Sequence, residues 1–361
     1  MTTYLLAGGG TAGHVNPLLA VADRLRQRDP SATVLVLGTR EGLEARLVPD
    51  RGYELLTIDR LPFPRRLGRA ALAFPGRFRR AVRQTKTYLT ERHVDVVVGF
   101  GGYAAAPAYR AARALGLPLV IHEANARPGL ANRIGARYTD RVGIVFPETR
   151  IRHGVVVGMP LRSEIERLDR VALRPEASRF FGLDPTKPTL LVTGGSTGAR
   201  SINRAVFDGI DSIVAAGWQV LHIAGNGSEL PKSPSAGYHI LNYCDRMDLA
   251  LAAADLAVAR SGSVTLSEFA AVGLPAIFIP YPVGNGEQRF NAIDAVRAGG
   301  ALLVDDASFT PAWIAETLVP LLRDRDRIAR MSAAIATVGG RDGADRMTDL
   351  VVGAAGAKST R

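Results

Sequence analysis

The sequence has a single cysteine, Cys244, which excludes a disulfide framework and indicates a reducing compartment. It has no CxxC pair and no histidine cluster of the kind that holds a structural metal. Long apolar runs are missing too. The segment Met1 to Ala7 is too short for a signal peptide, and Met247 to Ala259 is interrupted by Asp248 and Asp255. These absences predict a chain that is neither secreted nor membrane-spanning.

Acidic residues are scarce relative to basic ones, with 34 Asp and Glu against 45 Lys and Arg and a net charge of +11. The excess is uneven, since ten basic residues and one acid, Glu91, lie between Arg60 and Arg92. Such a segment attracts polyanions, which include nucleic acid, an anionic membrane leaflet and phosphorylated ligands. The length of 361 residues and the apolar content of 47% indicate a globular protein of two domains.

The first glycine turn, residues 8–14, has the sequence Gly-Gly-Gly-Thr-Ala-Gly-His. It lies between a predicted strand at Tyr4 to Ala7 and a helical pattern from about Pro17 to Arg28. Three of its glycines match the dinucleotide spacing G-x-G-x-x-G. The next predicted strand, Thr33 to Leu37, does not end in the acid that an NAD ribose needs, although Arg40 leaves NADP open. The backbone N–H groups of the turn could instead bind another pyrophosphate.

A second glycine turn, residues 99–103, follows the predicted strand Val94 to Val98 and could bind a second anion. The following predicted strand, Leu119 to His122, leads into His-Glu-Ala-Asn, which places polar groups at the carboxyl edge of a sheet. We interpret His122 as structural and Asn125 as the better placed for binding, because Asn125 begins a loop.

Apolar and basic residues alternate after residue 60. Pro75 is expected to open a helix whose apolar face, Phe78, Val82 and Leu89, packs on the core. The residues around it are harder to bury, and apolar groups ringed by cations are typical of monotopic membrane proteins. The predicted membrane surface comprises Leu61, Phe63, Arg65, Arg66, Leu67, Arg69, Leu72 and Phe74. Nucleic acid is not expected as a partner, because no array of stacking aromatics accompanies the charge.

The second half repeats the strand–turn–helix pattern. A third glycine turn, residues 194–200, follows the predicted strand Thr189 to Thr193, and its Ser196 offers a hydroxyl to a phosphate. A fourth turn, residues 261–263, joins the buried strand Leu256 to Ala259 to a helix ending at Ala271. The unpaired N–H groups at the start of that helix are suited to an anion.

Polar side chains accompany this last helix. Glu268 lies about one turn into it, where its carboxylate could accept hydrogen bonds from a sugar diol. A loop after the next predicted strand, Ala276 to Ile279, carries Glu287, Gln288 and Asn291. Together these parts are suited to a nucleotide sugar.

The connection between the halves, Gly158 to Arg162, has the composition of a domain crossover, and Arg162 suits a phosphate or sugar contact. Asp324 and Asp326 form a D-x-D pair, but they lie in a charge-alternating run that indicates a solvated helix, so no metal site is predicted there. The expected domains are residues 1–160, residues 161–340, and a C-terminal helix in 341–361 that packs back on the first domain.

Two α/β halves with parallel strands predict two Rossmann-like domains that face each other across a cleft, each with a phosphorylated ligand. The four turns and the His122 to Asn125 segment, in this order, resemble the lipid I N-acetylglucosaminyltransferases over about Leu5 to Met347. These are inverting GT-B glycosyltransferases of peptidoglycan synthesis. Ala12, where the family often has glycine, and Glu287, where some members have glutamine, depart from the pattern.

The resemblance implies transfer of N-acetylglucosamine from UDP-N-acetylglucosamine to the muramyl 4-hydroxyl of undecaprenyl-linked lipid I, giving lipid II, without cofactor or metal. It also implies a peripheral location on the cytoplasmic side of the cell membrane, with anionic inner-leaflet lipid as a partner. The attacking hydroxyl needs a base, and His14 is the candidate because the ordinary pKa of histidine is ~6.5; the alternative role for His14 is a hydrogen bond that structures the loop. The implied donor residues are Thr11, Ala12, Gly13, Asn125, Arg162, Ser196, Cys244 (through its backbone, to uracil), Ser263, Val264, Thr265, Leu266, Ser267, Glu268 and Gln288. The implied acceptor residues are Gly9, Gly10, Gly101, Gly102 and Tyr103.

Two other functions remain open at the level of sequence. An NADP-dependent oxidoreductase would use the first glycine turn. A non-catalytic lipid-binding protein would need only the basic segment, and would leave Glu268 and Gln288 without a role.

Overall fold

A computed structural model describes residues 1–64, 68–195, 197–226, 228, 235–283 and 286–356. The chain divides into two compact units. The first unit comprises residues 1–162 and 341–361, and the second comprises residues 163–340. Each unit contains a parallel sheet with helices in its connections, so the predicted α/β class with two Rossmann-like domains is confirmed.

The sheet of the first unit has seven parallel strands among the described residues. They are Thr3–Ala7 (β1), Thr33–Gly38 (β2), Glu54–Thr57 (β3), Val96–Gly99 (β4), Leu119–Glu123 (β5), Val142–Ile144 (β6) and Gly154–Val156 (β7). Their spatial order is β3-β2-β1-β4-β5-β6-β7. The chain therefore moves outward from β1 to β3 and then returns to β4 on the other side of β1. The carboxyl ends of β1 and β4 flank this switch point, where open α/β sheets bind ligands.

The central strands of this sheet are buried on both faces, which explains their continuous apolar sequences. The helices of the first unit are Ala12–Arg28 (α1), Glu44–Asp50 (α2), Arg69–Glu91 (α3), Ala105–Leu115 (α4), Leu130–Gly135 (α5) and, from the end of the chain, Gly343–Gly356 (α16).

Two helices begin earlier than their prolines predict. The predicted start of α1 at Pro17 is wrong by five residues, and the predicted start of α3 at Pro75 is wrong by six. Both prolines lie inside their helices, where each removes one backbone hydrogen bond. The residues before them, such as Ala12 and Gly13, lack apolar periodicity, so the sequence pattern does not reveal the first turns.

The second unit repeats the architecture with six parallel strands among the described residues. They are Thr189–Thr193 (β8), Gln219–Ile223 (β9), Tyr238–Leu241 (β10), Leu256–Ala259 (β11), Ala276–Phe278 (β12) and Ala301–Leu303 (β13). The spatial order is β10-β9-β8-β11-β12-β13, so the switch point lies between β8 and β11.

The connections of the second unit are mostly helical. The α-helices are Ser163–Glu166 (α6), Arg170–Phe181 (α7), Arg200–Ala215 (α8), Met247–Ala253 (α9), Ser263–Ala271 (α10), Glu287–Asn291 (α11), Ile293–Arg297 (α12), Pro311–Trp313 (α13), Val319–Arg323 (α14) and Arg325–Ala336 (α15). A 3₁₀ turn, Asp306–Ser308, precedes α13, and a π-helical turn, Ile314–Leu318, joins α13 to α14.

The predicted membrane surface is only partly exposed. Phe63 and Leu72 are exposed over 60% and 83% of their surface, and Arg69 is exposed, whereas Phe74 packs against the core and stacks on Phe78. Leu61 has to be removed from the predicted surface: it is 5% exposed and belongs to the core under α3. Alternation with arginines does not reveal that one of the apolar residues faces inward. Arg65, Arg66 and Leu67 lie outside the described residues.

Helix α16 is attached to α1 by ion pairs as well as by apolar packing. Arg24 binds Asp345 at 2.6 Å, and Arg28 binds both Asp345 at 2.7 Å and Asp349 at 2.5 Å. Met347 and Val351 of α16 are completely buried in the same core as α1. The last helix therefore supports the helix that carries His14.

We expect Asp345→Asn to lower the free energy of unfolding by about 1 kcal/mol near neutral pH, the upper range for partly exposed pairs. The hydrogen bond from Arg28 and the charge of Arg24 hold the pKa of Asp345 below its ordinary value. Because the folded-state pKa is the lower one, the stabilisation is present above the unfolded value of 3.8 and is lost as the pH falls through the folded value.

Urea unfolding at neutral pH and below pH ~4 would measure this loss. Asp50→Asn is the matched control, since Asp50 is exposed and pairs with Arg46 at 3.8 Å. The ion-pair explanation would be contradicted if Asp345→Asn lowered the free energy of unfolding no more than the control does. It would also be contradicted if the loss were the same in acid as at neutral pH.

Candidate functional site

In the first unit, the two glycine turns lie side by side at the switch point. They follow β1 and β4, which are paired with Ala7 opposite Gly99. A Cβ atom on Gly102 would lie 2.4 Å from the carbonyl oxygen of Gly9, and Gly10 lies against the ring of Tyr103. Gly102 has a φ of +79°, which favours glycine. The structure therefore brings all five predicted acceptor residues together.

His14 lies in the first turn of α1, beside both glycine turns. Its ring is 3.1 Å from the position of a Cβ on Gly101, and its Nδ1 is 3.3 Å from Thr11 Oγ1. Burial lowers the pKa of His14, and the negative charge of Glu44 and the Gly9 backbone oppose that shift. A lowered pKa leaves the imidazole neutral near pH ~7, which is the form that can accept a proton.

A polar cluster lies at the carboxyl end of β5. Glu123 accepts hydrogen bonds at 2.9 Å from the N–H of Asn125, the N–H of Gly129 and the Nδ2 of Asn132. Burial raises the pKa of Glu123, and these donors oppose that shift. The loop that carries Asn125 is thus fixed from inside the sheet, and Asn125 itself is half-buried.

His122 is completely buried in β5 and faces Phe100, with ring centroids 5.6 Å apart. Its Nε2 is 3.3 Å from the carbonyl oxygen of Gly158. Burial lowers its pKa to about 4, so it is neutral under ordinary conditions. These contacts agree with the structural role predicted from the sequence.

Two residues of this site were missed from the sequence. Asn132 is buried in α5 and joins Tyr109, Glu123 and the backbone of His122. Glu44 is buried in α2 and binds the N–H of Gly10 at 2.8 Å. Neither belongs to a motif, because each reaches the site from a different strand-to-helix connection.

In the second unit, the third and fourth turns follow β8 and β11, which are paired with Thr193 opposite Ala259. Helix α10 begins at Ser263, after Gly262 in extended conformation. The first four backbone N–H groups of an α-helix have no acceptor within the helix. In α10 these are the N–H groups of residues 262–265. Their positive end is directed at the switch point of this sheet.

The third glycine turn contacts a neighbouring loop. Gly198 has a φ of +73°, and a Cβ there would lie 2.1 Å from the carbonyl oxygen of Ala224. Gly225 approaches Gly198 equally closely. Gly198 of this turn thus serves close backbone packing. Ser196, the predicted phosphate-binding hydroxyl, lies outside the described residues.

The predicted donor residues on α10 differ in exposure. Val264, Thr265 and Ser267 are half-buried, and Ser263 is 5% exposed. Leu266 has to be removed from the set. Its side chain is 4% exposed, and its N–H donates to the carbonyl oxygen of Gly262 at 3.0 Å. Position in a motif does not reveal which members of a helix turn face the core.

Glu268 lies in the second turn of α10 and is 6% exposed. Gln288 lies near the start of α11, and its Oε1 accepts a hydrogen bond from the N–H of Tyr281 at 2.9 Å. Asn291 is completely buried, and its Nδ2 donates to the carbonyl oxygen of Ser261 at 3.2 Å. Cys244, the single cysteine of the sequence, is buried.

An ion-pair network beside the fourth turn was missed from the sequence. Arg260 follows β11 directly and binds Asp306 at 2.5 Å and Ser201 at 3.0 Å. It also donates to the carbonyl oxygens of Ile279 and Pro280. The position of Arg260 directly after a buried strand could have indicated a residue at the carboxyl edge of the sheet. Its partners Asp306 and Ser201 are far away in the sequence, so the network itself could not be predicted.

The predicted donor residues are divided between the two units. Thr11, Ala12, Gly13, Asn125 and Arg162 belong to the first unit, and the others belong to the second. Arg162 is half-buried at the end of the first segment.

Two family models match the chain and together span most of it. The model described as "Glycosyltransferase family 28 N-terminal domain" matches residues 4–144, and that described as "Glycosyltransferase family 28 C-terminal domain" matches residues 189–347. The four glycine turns all lie within these matches.

Curated relatives resemble the chain over its full length. A protein of Leifsonia xyli subsp. xyli is 63% identical over 97% of this chain and 98% of its own, and one of Streptomyces coelicolor is 50% identical over 99% of each. Both are named UDP-N-acetylglucosamine--N-acetylmuramyl-(pentapeptide) pyrophosphoryl-undecaprenol N-acetylglucosamine transferase.

Solved structures share the fold. The crystal structure of Acinetobacter baumannii MurG is 27% identical, with a TM-score of 0.77 over 98% of this chain and 100% of its own. The UDP-GlcNAc 2-epimerase of Neisseria meningitidis, solved with bound UDP-GlcNAc, is 13% identical with a TM-score of 0.68, over 98% and 100% of the chains. At that identity the second likeness concerns the fold alone.

Proposed function

Because the chain belongs to glycosyltransferase family 28, we propose that it transfers N-acetylglucosamine from UDP-N-acetylglucosamine to lipid I and so produces lipid II for peptidoglycan synthesis. The observation that carries the proposal is the 63% identity to a transferase of that name over 97% of the chain. The acceptor group is the muramyl 4-hydroxyl, and the anomeric configuration inverts.

The donor is assigned to the second unit. The free amides at the start of α10, with Ser263, Val264, Thr265 and Ser267, suit the diphosphate, since a helix N-terminus favours negative charge. Glu268 in the second turn is assigned to the ribose hydroxyls, and the backbone of Cys244 to uracil. Gln288 is assigned to the sugar, with Ser196 as a further phosphate contact.

The acceptor is assigned to the paired glycine turns of the first unit, which meet at Gly9 and Gly102. Thr11, Ala12, Gly13, Asn125 and Arg162 remain assigned to the sugar and phosphates of the donor. In this proposal His14 accepts the proton of the attacking hydroxyl, and its lowered pKa keeps it neutral and ready to do so.

The reaction itself needs three contributions from these residues. The acceptor oxygen attacks the anomeric carbon while UDP leaves from the opposite face, which requires both groups to be held in line. His14 removes the proton. The negative charge that develops on the departing diphosphate is stabilised by the α10 amides and by Arg162. This division of roles requires no redox group and no covalent intermediate.

A transfer assay tests the activity. Radiolabelled UDP-N-acetylglucosamine is incubated with the protein and a short-chain lipid I analogue, and label in the lipid product is counted. We expect transfer that depends on the acceptor, and no transfer to the product lipid II. Binding of UDP, seen as a rise in melting temperature, without any transfer would refute the proposal.

The two alternatives from the sequence explain less. An oxidoreductase would be stabilised by NADPH and not by UDP sugars in the same melting experiment. A non-catalytic lipid-binding protein would leave unexplained why both transferase family models match.

A membrane surface is proposed for the segment around α3. Its described members are Phe63, Arg69 and Leu72, and the sequence alone adds Arg65, Arg66 and Leu67 to the proposal. None of the described helices combines the length and apolar character that a bilayer-crossing segment requires. Exposed Phe63 and Leu72 beside arginines favour instead a surface contact with anionic inner-leaflet lipid, on the cytoplasmic side.

We expect replacement of Arg65, Arg66 and Arg69 by glutamine to weaken binding to anionic vesicles by on the order of 10²-fold, since each basic residue near such a surface contributes ~1 kcal/mol. Sedimentation with vesicles of anionic and of neutral lipid would measure it, and the affinity for UDP should stay unchanged. Replacement of Arg323, Arg325 and Arg327 in the second unit is the charge-matched control. Equal loss in both triple variants, or no loss in the first, would refute a membrane surface at α3.

A further inference from the structure

Glu44, the first residue of α2, is a completely buried carboxylate beside the first glycine turn. Burial of a carboxylate is costly unless hydrogen bonds compensate for the lost water. Its position therefore requires an explanation that neither the donor nor the acceptor assignment provides.

The carboxylate joins two loops that are distant in sequence. Its Oε1 accepts the N–H of Thr39 at 2.9 Å and the hydroxyl of Thr39 at 2.8 Å. Its Oε2 accepts the N–H of Gly10 at 2.8 Å. The loop after β1 is therefore tied to the loop after β2.

Three glycines make room for this carboxylate. A Cβ on Gly9 would lie 2.3 Å from Oε1, one on Gly38 would lie 2.5 Å from Cγ, and one on Gly42 would lie 2.0 Å from Oε2 of Glu44. Real Cβ atoms do not approach so closely. Part of the glycine pattern thus serves an internal carboxylate rather than a bound phosphate. The N–H of Gly10, which binds Glu44, is unavailable to a substrate anion.

The same carboxylate acts on the candidate base. Its negative charge raises the pKa of His14 against the lowering effect of burial. The titratable groups that interact with His14 in the described chain are Glu44, from α2, and His122, from β5. The turn after β4 contributes the Gly101 backbone. Because burial keeps His122 neutral, Glu44 supplies the charge in this set.

We propose that Glu44 is a positioning residue of the transfer reaction, which fixes Gly9 and Gly10 against the second glycine turn and places a negative charge near His14. It touches neither substrate and acts through the Gly10 amide and through space. The inference rests on the proposed transferase function and on His14 as its base.

The test is Glu44→Gln, which keeps the shape and removes the charge. Glu41→Gln is the matched control, because Glu41 is an exposed carboxylate three residues earlier in the same connection. We expect kcat to fall roughly tenfold in Glu44→Gln, less than the loss of ~10²-fold or more that follows removal of a general base, with unchanged KM for the donor. Removing the charge lowers the pKa of His14, so the acid limb of kcat/KM against pH moves to lower pH.

NMR titration of histidine-labelled protein gives a readout that needs no transferase activity, with the His14 signal assigned from His14→Gln. We expect the His14 titration to shift to lower pH in Glu44→Gln and to stay unchanged in Glu41→Gln. In Glu44→Asp, which keeps the charge but withdraws it by one methylene, kcat should fall while the titration shifts less. This variant also serves if Glu44→Gln does not fold.

Wild-type kcat in Glu44→Gln would overturn the inference. A loss of kcat with an unshifted His14 titration would also overturn it, because purely structural support would produce that result. If the wild-type protein transfers no sugar, the proposed function fails, while the titration still measures the influence of Glu44 on His14.

Discussion

His14→Ala is expected to reduce turnover by ~10²-fold or more at saturating donor and acceptor, the usual range for loss of a general base. The imidazole lies in the first turn of α1 against Gly101, next to the paired glycine turns that are assigned to the acceptor. Alanine removes the proton acceptor and leaves the backbone of the turn intact. The affinity for UDP should therefore change little.

The pH dependence gives an independent check on this role. Burial lowers the pKa of His14 from its ordinary value of 6.5. A base must be unprotonated, so wild-type kcat/KM should decline only as the pH falls below 6.5, and His14→Ala should lack this limb. His93→Asn is the matched control, because His93 is exposed and its φ of +49° is tolerated by asparagine. Near-normal turnover of His14→Ala would remove His14 from the role.

Gly102→Ala is expected to lower kcat/KM for the acceptor by ~10²-fold, the order of loss that a misplacement of about 1 Å can cause. The new Cβ would lie 2.4 Å from the carbonyl oxygen of Gly9 and 3.1 Å from its nitrogen. Backbone atoms cannot turn aside as a flexible side chain can, so the two glycine turns have to separate. The φ of +79° adds strain of about 1 kcal/mol.

Gly116→Ala separates the clash from the strain. Gly116 follows α4 with a φ of +65° and has no atom within 4 Å of an added Cβ. In thermal unfolding both variants should lose stability from backbone strain, and Gly102→Ala should lose more because of its clash with Gly9. Only Gly102→Ala should lose acceptor kcat/KM per folded molecule. Equal activity of the two variants would show that contact between the glycine turns is not needed for transfer.

Motifs located the paired glycine turns well, and the reason is local. A buried parallel strand is a short apolar run, and a turn with positive φ favours glycine. Both features are therefore visible in a few consecutive residues of the sequence. The parallel strand pairing then places Ala7 beside Gly99 and Thr193 beside Ala259 at the switch points. For this reason the predicted acceptor residues lie together.

The orientation of single side chains was less predictable. Leu61 and Leu266 were assigned to a lipid surface and to the donor, yet both are buried. Each lies in a segment whose neighbouring residues are more exposed. Which side chains of such a segment face the core depends on how the helix or loop packs against other elements. The sequence alone therefore does not show which apolar side chains of such a segment are buried and which are exposed.

Strand patterns, glycine positions and motif order were enough to establish two Rossmann-like units, the four turns and the family resemblance, because each depends on residues that are neighbours in the chain. The partners of Glu44, Asn132 and Arg260 were not accessible in this way. Gly10 meets Glu44 in the first unit, and Asp306 meets Arg260 in the second, only after separate connections of each sheet converge. Folding brings these groups together, and in the first unit the Glu44 contacts tie the loop after β1 to the loop after β2.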